Sequence, residues 1–333
     1  MDKPLILQAF DGTNKRVPVW FMRQAGRYLP EYQKLKGRYS LEELFREPEL
    51  AAKVTLLPVD ILDVDAAILF ADILTLPSLM GVEVTFHNDT GPEIGFPKDF
   101  LELKDINTAA YVEKTCALCK KALPKSKALI GFAGSPFTVL TYLTEGKTSL
   151  SLNRTIRFIE EDQERYHRWM KKLTQNTIVY LQAQIKSGAD IIQLFDTWAG
   201  MLRASDYARW VLPYIKDIFE ALGAPSIYYV KNCAHLLGLM EKTNADFLSV
   251  CHTVVLGHSQ VLKRTRKGIQ GNLYNGLLYA QRETLSKEVN DCLLGAAKHE
   301  KYIFNLSHGV FPDTKVETLK SIVKQVHHFP WNK

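Results

Sequence analysis

What most constrains the fold of this chain is a recurrence: a short β-rich apolar run, a polar break, then a stretch of helical character. The runs are VPVWF (17–21), AAILF (66–70), ALIGF (128–132), DIIQLF (190–195), SIYYV (226–230), FLSV (247–250), GIQG (268–271) and YIFNL (302–306). Most are continuously apolar rather than alternating, the pattern of parallel strands covered on both faces. These β-then-α units predict an α/β protein, a single-domain (β/α)8 TIM barrel over residues 1–333. A doubly wound open sheet is the alternative, and GIQG is the least strand-like of the runs. Length permits two domains, but no linker, internal repeat or composition break marks a boundary.

The intervening stretches carry helix signals. Residues 160–188 read as one long helix ended by Lys186 and Gly188. Residues 205–223 open on a Ser/Asp cap and close at Gly223, with Pro213 predicting a kink or a break.

Composition narrows the function classes. A formal charge of +6 on 333 residues is modest, and the basic runs RYHRWMKK and KRTRK fit solvated faces better than a phosphate track. No nucleic-acid partner is expected. The start, MDKPLILQAFDG, is a poor signal peptide, and the uncharged stretch 128–144 is interrupted by Gly131, Gly134 and Pro136. No membrane partner is expected either. Five cysteines without paired spacing suit a reducing compartment. A cytoplasmic location follows.

In a barrel the chemistry sits on the loops after the strands. The residues there include Arg23, Asp72, Ser135, Asp196 with Thr197, Lys231, Cys251 with His252, Asn272 and His308. The first loop, RQAGRY, holds two arginines four apart. Arginine forks match carboxylates, so Arg23 and Arg27 suit an acid-rich ligand, and Gly26 lets backbone approach it. A surface turn with the guanidinium groups stacked on Tyr28 or Trp20 is the competing reading. Asp72 likewise reads as a pocket carboxylate or as a helix cap before ILTLP.

PVWFMRQAGRYLPEY (18–32) resembles the first signature of the uroporphyrinogen decarboxylase family, and GFAGSPFTVLTYLTEG (131–146) resembles the second. The similarity continues through DAAILFADILT (65–75), AQIKSGADIIQLFDTWAG (183–200), QGN (270–272) and FNLSHG (304–309). It implies a single barrel domain. It also implies decarboxylation of the four acetate arms of uroporphyrinogen III to methyl groups, giving coproporphyrinogen III, with no metal, no cofactor and a homodimer. By motif match, Arg23 and Asp72 are the catalytic residues. Substrate contacts fall to Arg23, Gln24, Ala25, Gly26, Arg27, Asp72, Tyr142, Thr197 and His308, with backbone N–H groups of 24–27 contacting carboxylates. When protonated, the His308 imidazole can pair with a propionate.

Two segments depart from the family pattern. SVCHT (249–253) places Cys251 and His252 where many members carry Asp-Trp, and GNLYNG places Tyr274 and Asn275 where Asp-Pro is usual. NCAH (232–235) and Cys251-His252 keep open a zinc-dependent methyltransferase of the same fold. A non-catalytic tetrapyrrole-binding protein is the third alternative. CALC (116–119) reads as a helix face and is assigned nothing.

Overall fold

The computed structural model describes residues 3–87, 91–95, 97, 103–148 and 151–331. Among the described residues the strands are β1 (Ala66–Ile68), β2 (Val84–His87), β3 (Gly91–Ile94), β4 (Ala128–Gly134), β5 (Ile191–Asp196), β6 (Ser226–Val230), β7 (Phe247–Ser249), β8 (Gly268–Gln270) and β9 (Tyr302–Ile303). Seven form one sheet in the order β1-β4-β5-β6-β7-β8-β9. Every pairing in it is parallel. Helices connect successive strands, as parallel pairing requires. The strands are short and almost wholly buried, which explains their unbroken apolar runs. β2 and β3 pair antiparallel as a separate hairpin.

The sheet is curled. Gln270 on β8 donates from Nε2 to Gln193 Oε1 on β5 at 3.2 Å and to Ser249 Oγ on β7 at 2.9 Å, and it accepts from Trp20 Nε1 at 2.9 Å. β5 and β8 are separated by two strands in the sheet, so a direct side-chain bond between them needs inward curvature. These fully buried polar groups pair across the interior, with Gln270 bonded to all three of the others.

The expected first strand, 17–21, is a single bridge, Val19 beside Phe304, rather than a regular strand. Pro18 has no N–H to contribute to a ladder. The segment nonetheless bonds to both sheet edges. Asp65 N donates to Val19 O at 2.8 Å, while Phe304 N donates to Pro18 O at 2.8 Å. The buried Asp65 carboxylate anchors the same segment through Val19 N at 2.9 Å and both Arg16 guanidinium nitrogens.

One helical expectation needs correction, and a second holds at its expected break and its Gly223 end but not at its cap. The stretch 160–188 divides into Asn153–Glu161 and Gln163–Lys186, because Asp162 turns extended and accepts from Arg165 N at 2.8 Å to start the second helix. The stretch 205–223 breaks at Val211, so that Pro213 falls in the first turn of Leu212–Leu222. Its first half begins at Ala204, and Asp206 pairs with Arg203 instead of capping.

Candidate active site

The site is assembled at the C-terminal ends of the strands, around a cavity of about 490 Å³. That volume lies within the range of small-molecule sites. The first loop is built from two consecutive turns, with Gln24 N donating to Phe21 O and Leu29 N to Gly26 O, both at 3.0 Å. Met22 ties it to the loop after β9: its N donates to Asn305 Oδ1 at 3.1 Å, and its O accepts from Val310 N at 2.9 Å. Arg23 sits between these anchors at φ 59°, a left-handed conformation costly for a residue with a β-carbon. The turn aims its guanidinium into the cavity, where Ala25, Gly26 and Arg27 also line the wall.

Gln24 does not join them, contrary to the expectation from the motif. Its side chain is fully buried, accepting from Phe21 N at 3.0 Å and donating to Ala66 O at 2.9 Å. Its backbone N–H is spent on Phe21 O and its carbonyl accepts from Tyr28 OH. Gln24 ties the loop to β1. The residue is positional, and sequence adjacency to two arginines concealed this.

Asp72 lies just past β1 and lines the cavity. It caps no helix, for the next one spans Thr75–Leu79 after Leu74. Oδ1 instead accepts from Leu74 N at 2.9 Å, while Thr75 returns bonds to the Asp72 backbone. Burial raises the Asp72 carboxyl above its ordinary value, against the opposing pull of the Leu74 N–H and the Arg23 charge. The result is a partly buried carboxylate on the cavity wall, within reach of the Arg23 charge.

Tyr142 and Thr197 both line the cavity. Burial pushes the Tyr142 phenol up, so it remains a neutral donor. Its ring packs edge-on against Trp198 at 5.8 Å. Asp196, one residue before Thr197, points the other way. It is fully buried and accepts from Thr138 Oγ1 at 2.7 Å and Tyr228 OH at 2.8 Å. Strand alternation separates the two neighbours.

His308 follows β9 and stacks nearly parallel on Tyr229, ring centroids 6.5 Å apart. Burial, with the Arg23 and Lys231 charges, lowers the imidazole to about 4. It is therefore neutral at pH 7, and the pairing open to its protonated form needs a lower pH. Ser135 caps the helix Pro136–Glu145 through Thr138 N, and Asn272 donates to Cys251 O and Val254 O. Both are loop-holding residues.

Aromatic walls were not legible beforehand. Phe132, Phe195 and Tyr229 come from three neighbouring strands and meet edge to face, with centroids 5.6 and 5.7 Å apart. Phe45 and Phe70, also on the cavity wall, meet at 4.9 Å. Their runs look like ordinary core, and only curvature turns them to the cavity. The two departing segments form a unit of their own. Tyr274 packs on His252 at 4.5 Å, and Asn275 donates to Gly309 O at 3.4 Å. Cys233 and Cys251 are both buried. Among the described residues no group of three His, Cys, Asp or Glu side chains is placed to hold a metal ion.

Residues 1–329 match the family model described as uroporphyrinogen decarboxylase (URO-D). A protein of Thermodesulfovibrio yellowstonii named uroporphyrinogen decarboxylase is 41% identical over 325 residues, 94% of each chain. One of the same name from Aquifex aeolicus is 38% identical, covering 95% of this chain and 94% of its own. Among solved structures, a methyltransferase from Methanosarcina mazei superposes with a TM-score of 0.83 at 19% identity, over 98% of this chain and 99% of that one. That likeness concerns the fold. With the sequence matches spanning nearly the whole chain, this protein belongs to the uroporphyrinogen decarboxylase family.

Proposed function

We propose that this chain removes the carboxyl groups from the four acetate arms of uroporphyrinogen III, leaving methyl groups and yielding coproporphyrinogen III. The observation that carries the reading is the Asp72 carboxylate on the wall of an aromatic-lined cavity, under the influence of the Arg23 charge. A polyacid needs cations at the rim, and Arg23 and Arg27 are there. Mere carboxylate binding would not call for an anion within. A substrate that becomes cationic during reaction does.

Protonation of a pyrrole α-carbon produces such a cation, which takes up the electrons released as carbon dioxide departs. Protonation of the resulting exocyclic alkene then gives the methyl group. Asp72 accepts hydrogen bonds from pyrrole N–H groups and stabilises the cationic ring in the transition state. The ring itself is the electron sink, so the proposed reaction uses no metal or organic cofactor. Arg23 supplies charge and position next to the reacting acetate. It is a poor proton donor, since arginine stays protonated. Arg27, the N–H groups at Ala25 and Gly26, Tyr142, Thr197 and neutral His308 bind the remaining carboxyl groups.

The same reading includes a closed, single-domain (β/α)8 barrel, with the segment 17–21 between β9 and β1. A homodimer and a cytoplasmic location complete it. No helix among the described residues is long and apolar enough to cross a membrane. The test is anaerobic incubation of metal-stripped protein with uroporphyrinogen III, followed by mass analysis. Stepwise loss of four carboxyl groups is expected. Intact substrate overturns the proposal, and turnover only after zinc is restored favours the methyltransferase-like reading.

A further inference from the structure

A sulfur-centred site lies beside the cavity. Cys233 follows β6 and Cys251 follows β7, and these are neighbouring parallel strands. Their Sγ atoms are 3.7 Å apart. Cys251 Sγ accepts from Cys233 N at 3.3 Å and also contacts the Thr253 hydroxyl at 2.9 Å. Donors converging on one sulfur favour its thiolate. The Cys233 contact, followed by Thr253, holds the Cys251 thiol well below the usual range against the effect of burial, while Cys233 is pushed the other way. The other sulfurs differ. Burial pushes Cys116 and Cys119 up to about 12 and about 11, and raises Cys292 as well.

One anion-competent sulfur in contact with one protonated sulfur is the arrangement of an attacking and a resolving thiol. Cys251 is only 2% exposed, but its neighbours His252 and Thr253 are exposed. A water-sized oxidant reaches such a sulfur where a bulky thiol reagent does not.

We propose that Cys251 and Cys233 form a reversible intramolecular disulfide when hydrogen peroxide reaches the pair. The Cys251 thiolate attacks one peroxide oxygen. A sulfur–oxygen bond forms, the oxygen–oxygen bond breaks, and hydroxide leaves to be protonated by solvent. Sulfur loses two electrons and peroxide gains them. The Cys233 sulfur then attacks the Cys251 sulfenic acid; the sulfur–sulfur bond forms, and the departing hydroxyl takes the Cys233 proton to leave as water.

The bond requires the sulfurs to close to about 2.05 Å, which draws together the loops after β6 and β7. The first carries Lys231, whose charge acts on His308. The second carries His252, whose Nδ1 is 3.3 Å from the Ser307 hydroxyl, next to His308. The oxidised protein therefore has a displaced pocket edge and a lower turnover. This last consequence rests on the decarboxylase reading, whereas the thiol chemistry does not.

The experiment adds a few equivalents of hydrogen peroxide to the fully reduced protein, then measures intact mass, free thiols and turnover on one sample. Expected are the loss of two thiols, peptides joined through Cys233 and Cys251, and recovery with dithiothreitol. Cys233→Ser is expected to stop at a sulfenic acid on Cys251 that dimedone captures. Cys251→Ser is expected to react with peroxide at least about tenfold more slowly. Five surviving thiols, or a bond joining other cysteines or two chains, would overturn the proposal. A Cys233–Cys251 bond with turnover unchanged would overturn the link to the pocket. Bond formation in a protein that never decarboxylates uroporphyrinogen supports the thiol proposal and overturns the functional one.

Discussion

Arg23 lies directly over Gly309: a β-carbon at position 309 would come within 2.4 Å of Arg23 Cδ and 2.8 Å of Cγ. The loop after the last strand is thus shaped to let the arginine of the first loop pass over it. Asn275 holds that loop through Gly309 O, so a segment that departs from the family pattern supports the arginine the family shares.

Gly309→Ala is accordingly expected to displace Arg23. KM for uroporphyrinogen should rise about tenfold, the scale of losing one well-placed charged contact, while the melting temperature changes little. Kinetics of the single and double variants check it. In an Arg23→Ala background the glycine change should add almost nothing, because the residue it disturbs is gone.

Asp72→Asn keeps the shape of the turn and removes the anion. The expected result is a fall in kcat of about 10²–10³, the size of effect seen when one preorganised electrostatic group is lost, with substrate affinity largely kept. Steady-state kinetics together with a direct binding titration separate the two. A variant with near-normal kcat would remove Asp72 from the chemistry.

Acid should silence the enzyme through the same residue. Burial raises the Asp72 carboxyl, and the proposed active form is the anion, so activity is expected to be lost as pH falls through that raised value. The acid limb of kcat/KM should therefore lie above the ordinary aspartate value of about 3.9. Arg23→Gln should move the limb higher still, since the Arg23 charge opposes the rise. A pH–rate profile of both proteins provides the test.

His308 makes a separate, thermodynamic prediction. Its folded-state value is about 4, below the ordinary histidine value of about 6.5. As pH falls from about 6.5 toward 4, the unfolded chain binds the proton first, so stability declines through that window by up to about 1.4 kcal/mol per pH unit. Above it the contribution is fully present. Denaturant unfolding at several pH values should show a shallower decline for His308→Gln.

Gln24→Ala should behave as a structural change. It orphans the Phe21 N–H and Ala66 O groups that Gln24 joins, which is expected to cost about 1–3 kcal/mol of stability. KM should stay within a factor of about two, well short of the tenfold change expected for a charged contact. Thermal unfolding and kinetics on the folded fraction distinguish this from a substrate-binding role.

The signal for parallel strands lay in local composition, and so did the loops that carry Arg23, Asp72, Thr197 and His308. Local sequence also encodes the stop after Lys186 and the break before Pro213, because caps and prolines act over a few residues. The irregularity of segment 17–21 was readable in principle from Pro18. The division at Asp162 was less so, since an aspartate within a helical pattern is either a cap or a tolerated interior residue.

What sequence alone determined was the positions of the seven strands of the parallel sheet, the two signatures and hence the family, since each is written in contiguous residues. Which side chains meet was decided only by curling of the sheet. Curvature brings Gln193 against Gln270 and turns Phe132 and Tyr229 inward, while the pairing of β6 with β7 sets Cys233 beside Cys251. It also buries Gln24 while leaving Arg23 in the cavity. Contacts between distant strand ends depend on how the strands are ordered and bent together. No local pattern records that, because the same apolar run serves a core wall and a cavity wall equally well.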